Sequence, residues 1–226
     1  MKSKLIVFLL LSSLLTFAQG QRETNIGASL SAELQKEDLF LRNLNLTVEE
    51  EVRLIDNIKG FDRSVTSLGL DYSFFEKRMK VGGYYAFIYL YNDKHYYEPR
   101  HRYYLNLSFK QPWQRYTFSW RGRVQGTYRD ENRGAYKTNP KYIMKNKFEI
   151  EYSVWGRPWK PYISCDFSTE LNNPIGNELT RIRYQGGTSW RLNRTDYLDF
   201  FMRFDNYFSD DDPHVFSVGV GYRLKM

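Results

Sequence analysis

The stretch Val215–Leu224 reads VFSVGVGYRL. Phe216, Val218, Val220, Tyr222 and Leu224 share one parity, and Ser217, Gly219, Gly221 and Arg223 share the other. A period of two is the pattern of a β-strand with one apolar and one polar face.

Working backwards, the rule returns segment after segment. Tyr197–Phe208 sets Leu198, Phe200, Met202 and Phe204 against Asp199, Phe201, Arg203 and Asp205. Leu179–Arg191 sets Ile182, Tyr184 and Trp190 against Arg181, Arg183, Gln185 and Ser189. Tyr162–Leu171 and Lys145–Trp155 alternate likewise, as do Tyr116–Tyr128, Arg102–Lys110, Val65–Phe75, Leu44–Leu54 and Ile26–Gln35. Met79–Tyr91 is apolar on both faces, so periodicity is mute there, and its Tyr and Phe content favours strand. Strands in globular proteins usually run to about five or six residues; these are about twice as long. The count is about eleven. Single-chain bacterial membrane barrels are mostly even-numbered, so ten or twelve is expected, with the discrepancy placed in residues 20–60. Connections alternate between short turns near 77, 112, 157 and 193 and longer polar loops near 58, 95, 135, 175 and 211. Arg129–Lys141 is the longest. This is the hairpin meander of an all-β, antiparallel, up-and-down transmembrane barrel of about 10–12 strands, with short periplasmic turns and longer outer loops.

The chain opens with MKSKLIVFLLLSSLLTFA, residues 1–18. Lys2 and Lys4, the apolar run that follows and the small Ala18 make a cleavable export signal, leaving residues 19–226 as one barrel domain. The 226 residues carry a formal charge of +7, and the mature part +5. That balance permits contact with anionic lipid heads without requiring it. Cys165 is the only cysteine, so no intrachain disulfide is possible. Aromatic residues make up 18%, 19 of them Tyr, which suits aromatic girdles at two membrane interfaces. Outer-membrane lipid and lipopolysaccharide are the expected surroundings. A tyrosine-rich soluble sandwich is the alternative.

Size decides which face meets water. Ten to twelve strands enclose more space than the eight-stranded barrel that side chains just fill. An apolar lumen that wide would stand empty, whereas a polar one holds water and paired charges. The lumen-lining set is Glu49, Glu51, Arg121, Arg123, Glu149, Glu151, Asp166, Glu170, Arg181, Arg183, Arg203 and Arg223. Adjacent strands mostly oppose in sign. A hairpin over Asn172–Asn177 brings Glu170 opposite Arg181 and Ser168 opposite Arg183, and such cross-strand pairs stabilise a wall. Glu50 falls on the apolar face of Leu44–Leu54, which calls for a β-bulge or an interfacial position.

Four stretches carry a resemblance: Thr47–Arg53 (TVEEEVR), Arg100–Tyr103 (RHRY), Asn146–Tyr152 (NKFEIEY) and Lys160–Asn173 (KPYISCDFSTELNN). On these the chain resembles the domain-of-unknown-function family 2490, predicted outer-membrane β-barrel proteins of Gram-negative bacteria. The Cys165-Asp166 pair departs from the usual alternation there. The resemblance implies fold and location and carries no assigned activity.

Catalytic signals are sparse. The histidines are His95, His101 and His214, and only His214 has a serine and acids close in sequence, Ser209 and Asp210–Asp212. A Ser-His pair needs a third group to orient the histidine. The acidic run lacks the ligand spacing of a calcium loop, and basic residues interleave with acids in no stripe, which argues against nucleic acid. No cofactor, metal or catalytic residue is assigned. Gly82-Gly83 and Gly186-Gly187 mark bends. The leading expectation is a structural or interaction barrel. One alternative is a narrow pore in which Arg121, Arg123, Arg181 and Arg183 face Glu49, Glu51, Glu149 and Glu151. The other is a lipid-modifying enzyme using a loop histidine.

Overall fold

The computed structural model describes residues 24–91, 96–130, 138–174, 176–208 and 213–226. The strands are β1 (Thr24–Lys36), β2 (Leu44–Ile55), β3 (Gly60–Phe74), β4 (Met79–Tyr91), β5 (Tyr97–Trp113), β6 (Tyr116–Arg129), β7 (Lys141–Tyr152), β8 (Trp159–Glu170), β9 (Glu178–Arg191), β10 (Asp196–Tyr207) and β11 (His214–Lys225). Each pairs antiparallel with the next, and β1 meets β11 to close the barrel. The described residues contain no helix.

The even strand number is overturned. With eleven strands the first and last run the same way, so the closing seam is parallel, with Thr24–Gln35 matched to His214–Lys225 residue by residue. Parallel pairing is slightly weaker per residue, and twelve successive pairs offset this.

The connections at one rim are seven, four, two, six and four residues long, and at the other four, five, eleven, seven and six. The loop expected over Asp56–Asp62 shortens to four residues because β3 begins at Gly60. A register shift beside Arg53 leaves Asp62 as the extra residue of a bulge, which lets pairing continue past it. Strand β5 also starts earlier than alternation indicates. Pro99 sits in it opposite Tyr89, and β6 reaches only to Arg129 opposite Arg100. Beyond that pair β5 is an edge, where proline is tolerated.

The faces are the reverse of a soluble barrel's. Ser67, Asp71, Ser73 and Ser217 are 6%, 2%, 4% and 2% exposed, whereas Leu68, Leu70, Tyr72, Phe216 and Val218 on the same strands are exposed. Strand β4 obeys the same geometry with apolar residues on both sides. Ala86, Ile88 and Leu90 are buried inward, while Phe87, Tyr89 and Tyr91 are exposed outward. Exposed aromatics form two rings. Tyr89, Tyr97, Tyr103 and Tyr128 lie toward the long-connection rim, and Trp113, Tyr116, Trp159, Trp190 and Tyr222 toward the other. Glu50 is outward and in unbroken register opposite Thr66, so no bulge rescues it. Instead Ser64 Oγ donates to it at 2.5 Å and the Thr66 hydroxyl donates to its other oxygen.

Candidate functional site in the barrel interior

Eleven strands about 4.8 Å apart and tilted about 40° enclose a backbone cylinder about 22 Å across. Side chains from several strands meet inside it. On the β3–β6 wall, the Tyr84 hydroxyl donates to Asp71 Oδ2 at 2.5 Å. The Tyr84 ring stacks on Tyr104 at 4.8 Å with an interplanar angle of 4°. Arg123 lies over the other side of that assembly, 4.0 Å from the Tyr104 centroid. Two glycines make the space. A Cβ at Gly69 would enter the Tyr84 ring, and one at Gly82 would enter the Asp71 carboxylate. Gly82-Gly83 and Gly186-Gly187 lie within β4 and β9. The ladders run through both pairs unbroken, and Gly82 and Gly187 admit neighbouring groups.

Toward the long-connection rim a chain of ion pairs crosses the interior. Arg53 donates to Glu51 through Nε at 2.8 Å and Nη2 at 2.6 Å, and Ser29 Oγ adds a third bond at 3.0 Å. Arg203 Nη1 comes within 3.7 Å of the same carboxylate. Because β1 and β11 stand between β2 and β10, this contact runs inside the wall. Arg203 also approaches Asp205 at 3.8 Å, and Asp205 receives Arg183 at 2.5 and 3.0 Å and lies 3.6 Å from Arg181. Asp205 is 3% exposed and Arg203 6%. Paired charges of this kind are tolerated in a buried setting where single ones are not. A cavity of about 50 Å³ opens among Arg53, Asp62, Arg63, Arg203 and Asp205, room for a few waters.

Four further ion pairs form locally. Lys147 meets Glu149 at 2.7 Å, Lys160 meets Glu151 at 3.0 Å, Lys141 meets Glu170 at 2.6 Å and Arg223 meets Glu33 at 3.2 Å. Asp166 stands opposite Lys147 and Arg183, and its hydrogen bond comes from Ser168 Oγ at 3.4 Å. The register of the 171–177 hairpin differs from expectation. A shift beside Ser168 puts Ser168 opposite Arg181 and Glu170 opposite Glu178. Nor do neighbouring strands alternate in sign throughout. Arg121 faces Lys147, Arg123 faces Lys145, and Glu33 faces Glu49. The acids Glu33, Glu49 and Glu51 stand on the β1–β2 wall, and the bases Arg121 and Arg123 on the β6 side of the β6–β7 wall, where β7 carries both signs, Lys145 and Lys147 with Glu149 and Glu151. In a ring of eleven strands these walls are opposite. Glu49 and Arg123 sit at equal depth, each six residues below the end of its strand.

Sequence reading passed over Arg53, Arg102, Lys145 and Asp71 as members of the interior. Parity held the signal for Arg53, two residues from Glu51, and for Lys145, four from Glu149 and opposite Arg123, whereas Asp71 and Arg102 lie on β3 and β5, strands with no residue in the expected lumen set. Of the histidines, the two described, His101 and His214, do not converge. His95, Ser209 and Asp210–Asp212 lie outside the described residues. His101 faces outward on β5, with Nδ1 2.8 Å from the Tyr85 hydroxyl. His214 packs its ring against Phe204 at 5.9 Å, on nearly the opposite side of the barrel.

Fold and site together define a closed, mostly antiparallel β-barrel of eleven strands, in which many polar side chains are buried and many large apolar ones exposed. A family model described as "Protein of unknown function (DUF2490)" matches residues 28–214, from β1 into β11, and the chain belongs to that family. No curated protein matches the chain.

Proposed function

We propose that this chain is an outer-membrane β-barrel protein, a structural or interaction barrel with a charge-lined interior, exported by residues 1–18 and embedded among outer-membrane lipid and lipopolysaccharide. The observation that carries this reading is the inversion of faces. Leucine, valine and aromatic side chains cover the outside while serine, aspartate and arginine are buried. In water that exterior would be a very large apolar patch of the kind monomeric soluble proteins rarely expose. In lipid it is the required surface. Ring spacing supports it. Tyr103 and Trp113 are ten residues apart on β5, about 33 Å along a strand and about 25 Å along the axis at a tilt of about 40°. In this reading the barrel is not a catalyst, and the Tyr85–His101 pair is an interfacial anchor.

The test is a membrane-fraction gel run with and without boiling. The protein should sit in the outer-membrane fraction and change mobility on heating; a soluble periplasmic protein with one mobility would defeat the reading.

A second reading, a narrow pore for a small polar solute, is favoured by one observation, the placement of Arg121 and Arg123 on β6 across the ring from Glu49 and Glu51 on β2. Channel activity in planar bilayers would then change its ion selectivity toward cations in Arg121→Ala with Arg123→Ala. Unchanged selectivity removes those residues from any conduction path.

A further inference from the structure

Three cations stand on adjacent strands without an acid to meet them. Arg102 on β5, Arg123 on β6 and Lys145 on β7 share the inward parity, and Arg123 is directly opposite Lys145. Arg102 Nε donates to Thr127 Oγ1 at 3.0 Å, and Arg123 Nε to Asn106 Oδ1 at 2.8 Å. Among the described residues, their terminal guanidinium nitrogens and the Lys145 ammonium make no hydrogen bond, and none of the three has a carboxylate oxygen within 4.0 Å. Like charges directly opposite weaken a sheet, and this wall keeps Arg123 and Lys145 face to face. Asp166 lies opposite Lys147, one inward position away from Lys145's partner Ser168. Glu49 is on the far wall.

A fourth group completes the arrangement. Gln125 follows Arg123 on the inward face of β6, 2% exposed, and its side-chain oxygen is buried without a partner. Turning the amide over presents two N–H donors in place of that oxygen. Arg102, Arg123 and Lys145 each remain partly accessible. Two guanidinium forks, an ammonium and an amide suit an anion with several oxygens, because planar forks bind phosphate-type oxygens in pairs and an ammonium supplies a point charge.

We propose that Arg102, Arg123, Gln125 and Lys145 form a lumenal binding site for a small phosphate-class oxyanion. It rests on the barrel reading above in taking the polar face as the hydrated inner one. The site is on the inner face of the wall, so its ligand arrives dissolved through the lumen and not on a lipid in the outer belt.

The experiment is a titration of purified barrel in zwitterionic micelles with inorganic phosphate, chloride holding ionic strength constant, and the unfolding midpoint followed by circular dichroism. Phosphate should raise the midpoint saturably. Lys145→Gln and Arg123→Gln should each lower the apparent affinity at least tenfold, while Lys160→Gln at the opposite rim leaves it unchanged. Arg123→Lys, which keeps the charge and loses the fork, should fall between. A shift no larger than that given by chloride, or one that survives both Gln variants, overturns the site. Phosphatidic acid in the same micelles should give no shift; a shift with it alone overturns a lumenal site in favour of a headgroup site on the outer belt. The titration reads the site whether or not the heated-gel test succeeds, so failure of one is told apart from failure of the other.

Discussion

At Gly69 a single missing methyl decides how the interior is built. The Tyr84 ring occupies the place a Cβ would take, held there by its bond to Asp71 and its stack on Tyr104. Gly69→Ala forces the ring off both contacts, and overpacking of this kind costs about 1–3 kcal/mol. Gly186→Ala is the control. No atom lies within 4 Å of the added carbon, so its effect should stay within about 0.5 kcal/mol. Urea unfolding in micelles reads both, and equal effects would discard the packing argument. Asp205 makes the corresponding electrostatic case. It is the shared ion-pair partner of Arg181, Arg183 and Arg203, and nearly all of it is buried. Asp205→Asn leaves three guanidinium groups without it, a loss of about 3–5 kcal/mol for a broken buried pair. Adding Arg183→Gln should recover part of that loss in the same unfolding measurement. A double variant less stable than the single would show that Arg183 stabilises the wall by contacts other than Asp205.

Between strands the unit is the ladder, and the seam is its least ordinary part. Ala28 on β1 lies beside Val218 on β11 in a parallel pair, where neighbouring Cα atoms are about 4.8 Å apart, within disulfide reach. Ala28→Cys with Val218→Cys, in a Cys165→Ser background, should oxidise to an intramolecular disulfide and lock the folded gel mobility. Failure to cross-link would mean a different closing pair, such as an antiparallel seam with another strand. The elements also show what alternation can and cannot carry. Parity along VFSVGVGYRL or VTSLGLDYS reports which face each residue takes, because the strand repeat imposes it. Register is a different quantity, set by turn lengths and bulges. The shift beside Ser168 moved Arg181 opposite Ser168, and no periodicity within β8 or β9 announces it. The same gap hid Arg123 opposite Lys145, because each strand's charges were legible one at a time and their meeting was not. Pro99 belongs to β5 because it sits at a local edge, where its missing N–H breaks no ladder bond to β6.

The whole molecule has two unlike ends, and the asymmetry sets an orientation. One rim is closed by connections as short as two residues, the other by connections of up to eleven. In our reading the tight rim faces the periplasm and the looser one the outside, the arrangement general to such barrels. The apolar band between the aromatic rings is about 25 Å tall at the usual tilt, so a reagent that cannot enter lipid reaches one rim of an intact cell and not the other. Pro174 lies in the connection between β8 and β9 and Arg194 in the turn between β9 and β10, both exposed. With Cys165→Ser removing the native thiol, Pro174→Cys should react with a membrane-impermeant maleimide on whole cells, and Arg194→Cys only after the outer membrane is opened. The reverse pattern would invert the barrel in the membrane while leaving the fold intact. Labelling of both on whole cells would mean that the band does not span a bilayer, and the exposed leucines and tyrosines would then need a protein partner to cover them. That outcome would leave the interior unchanged, because the Arg53–Glu51–Arg203–Asp205 chain depends only on which residues face inward.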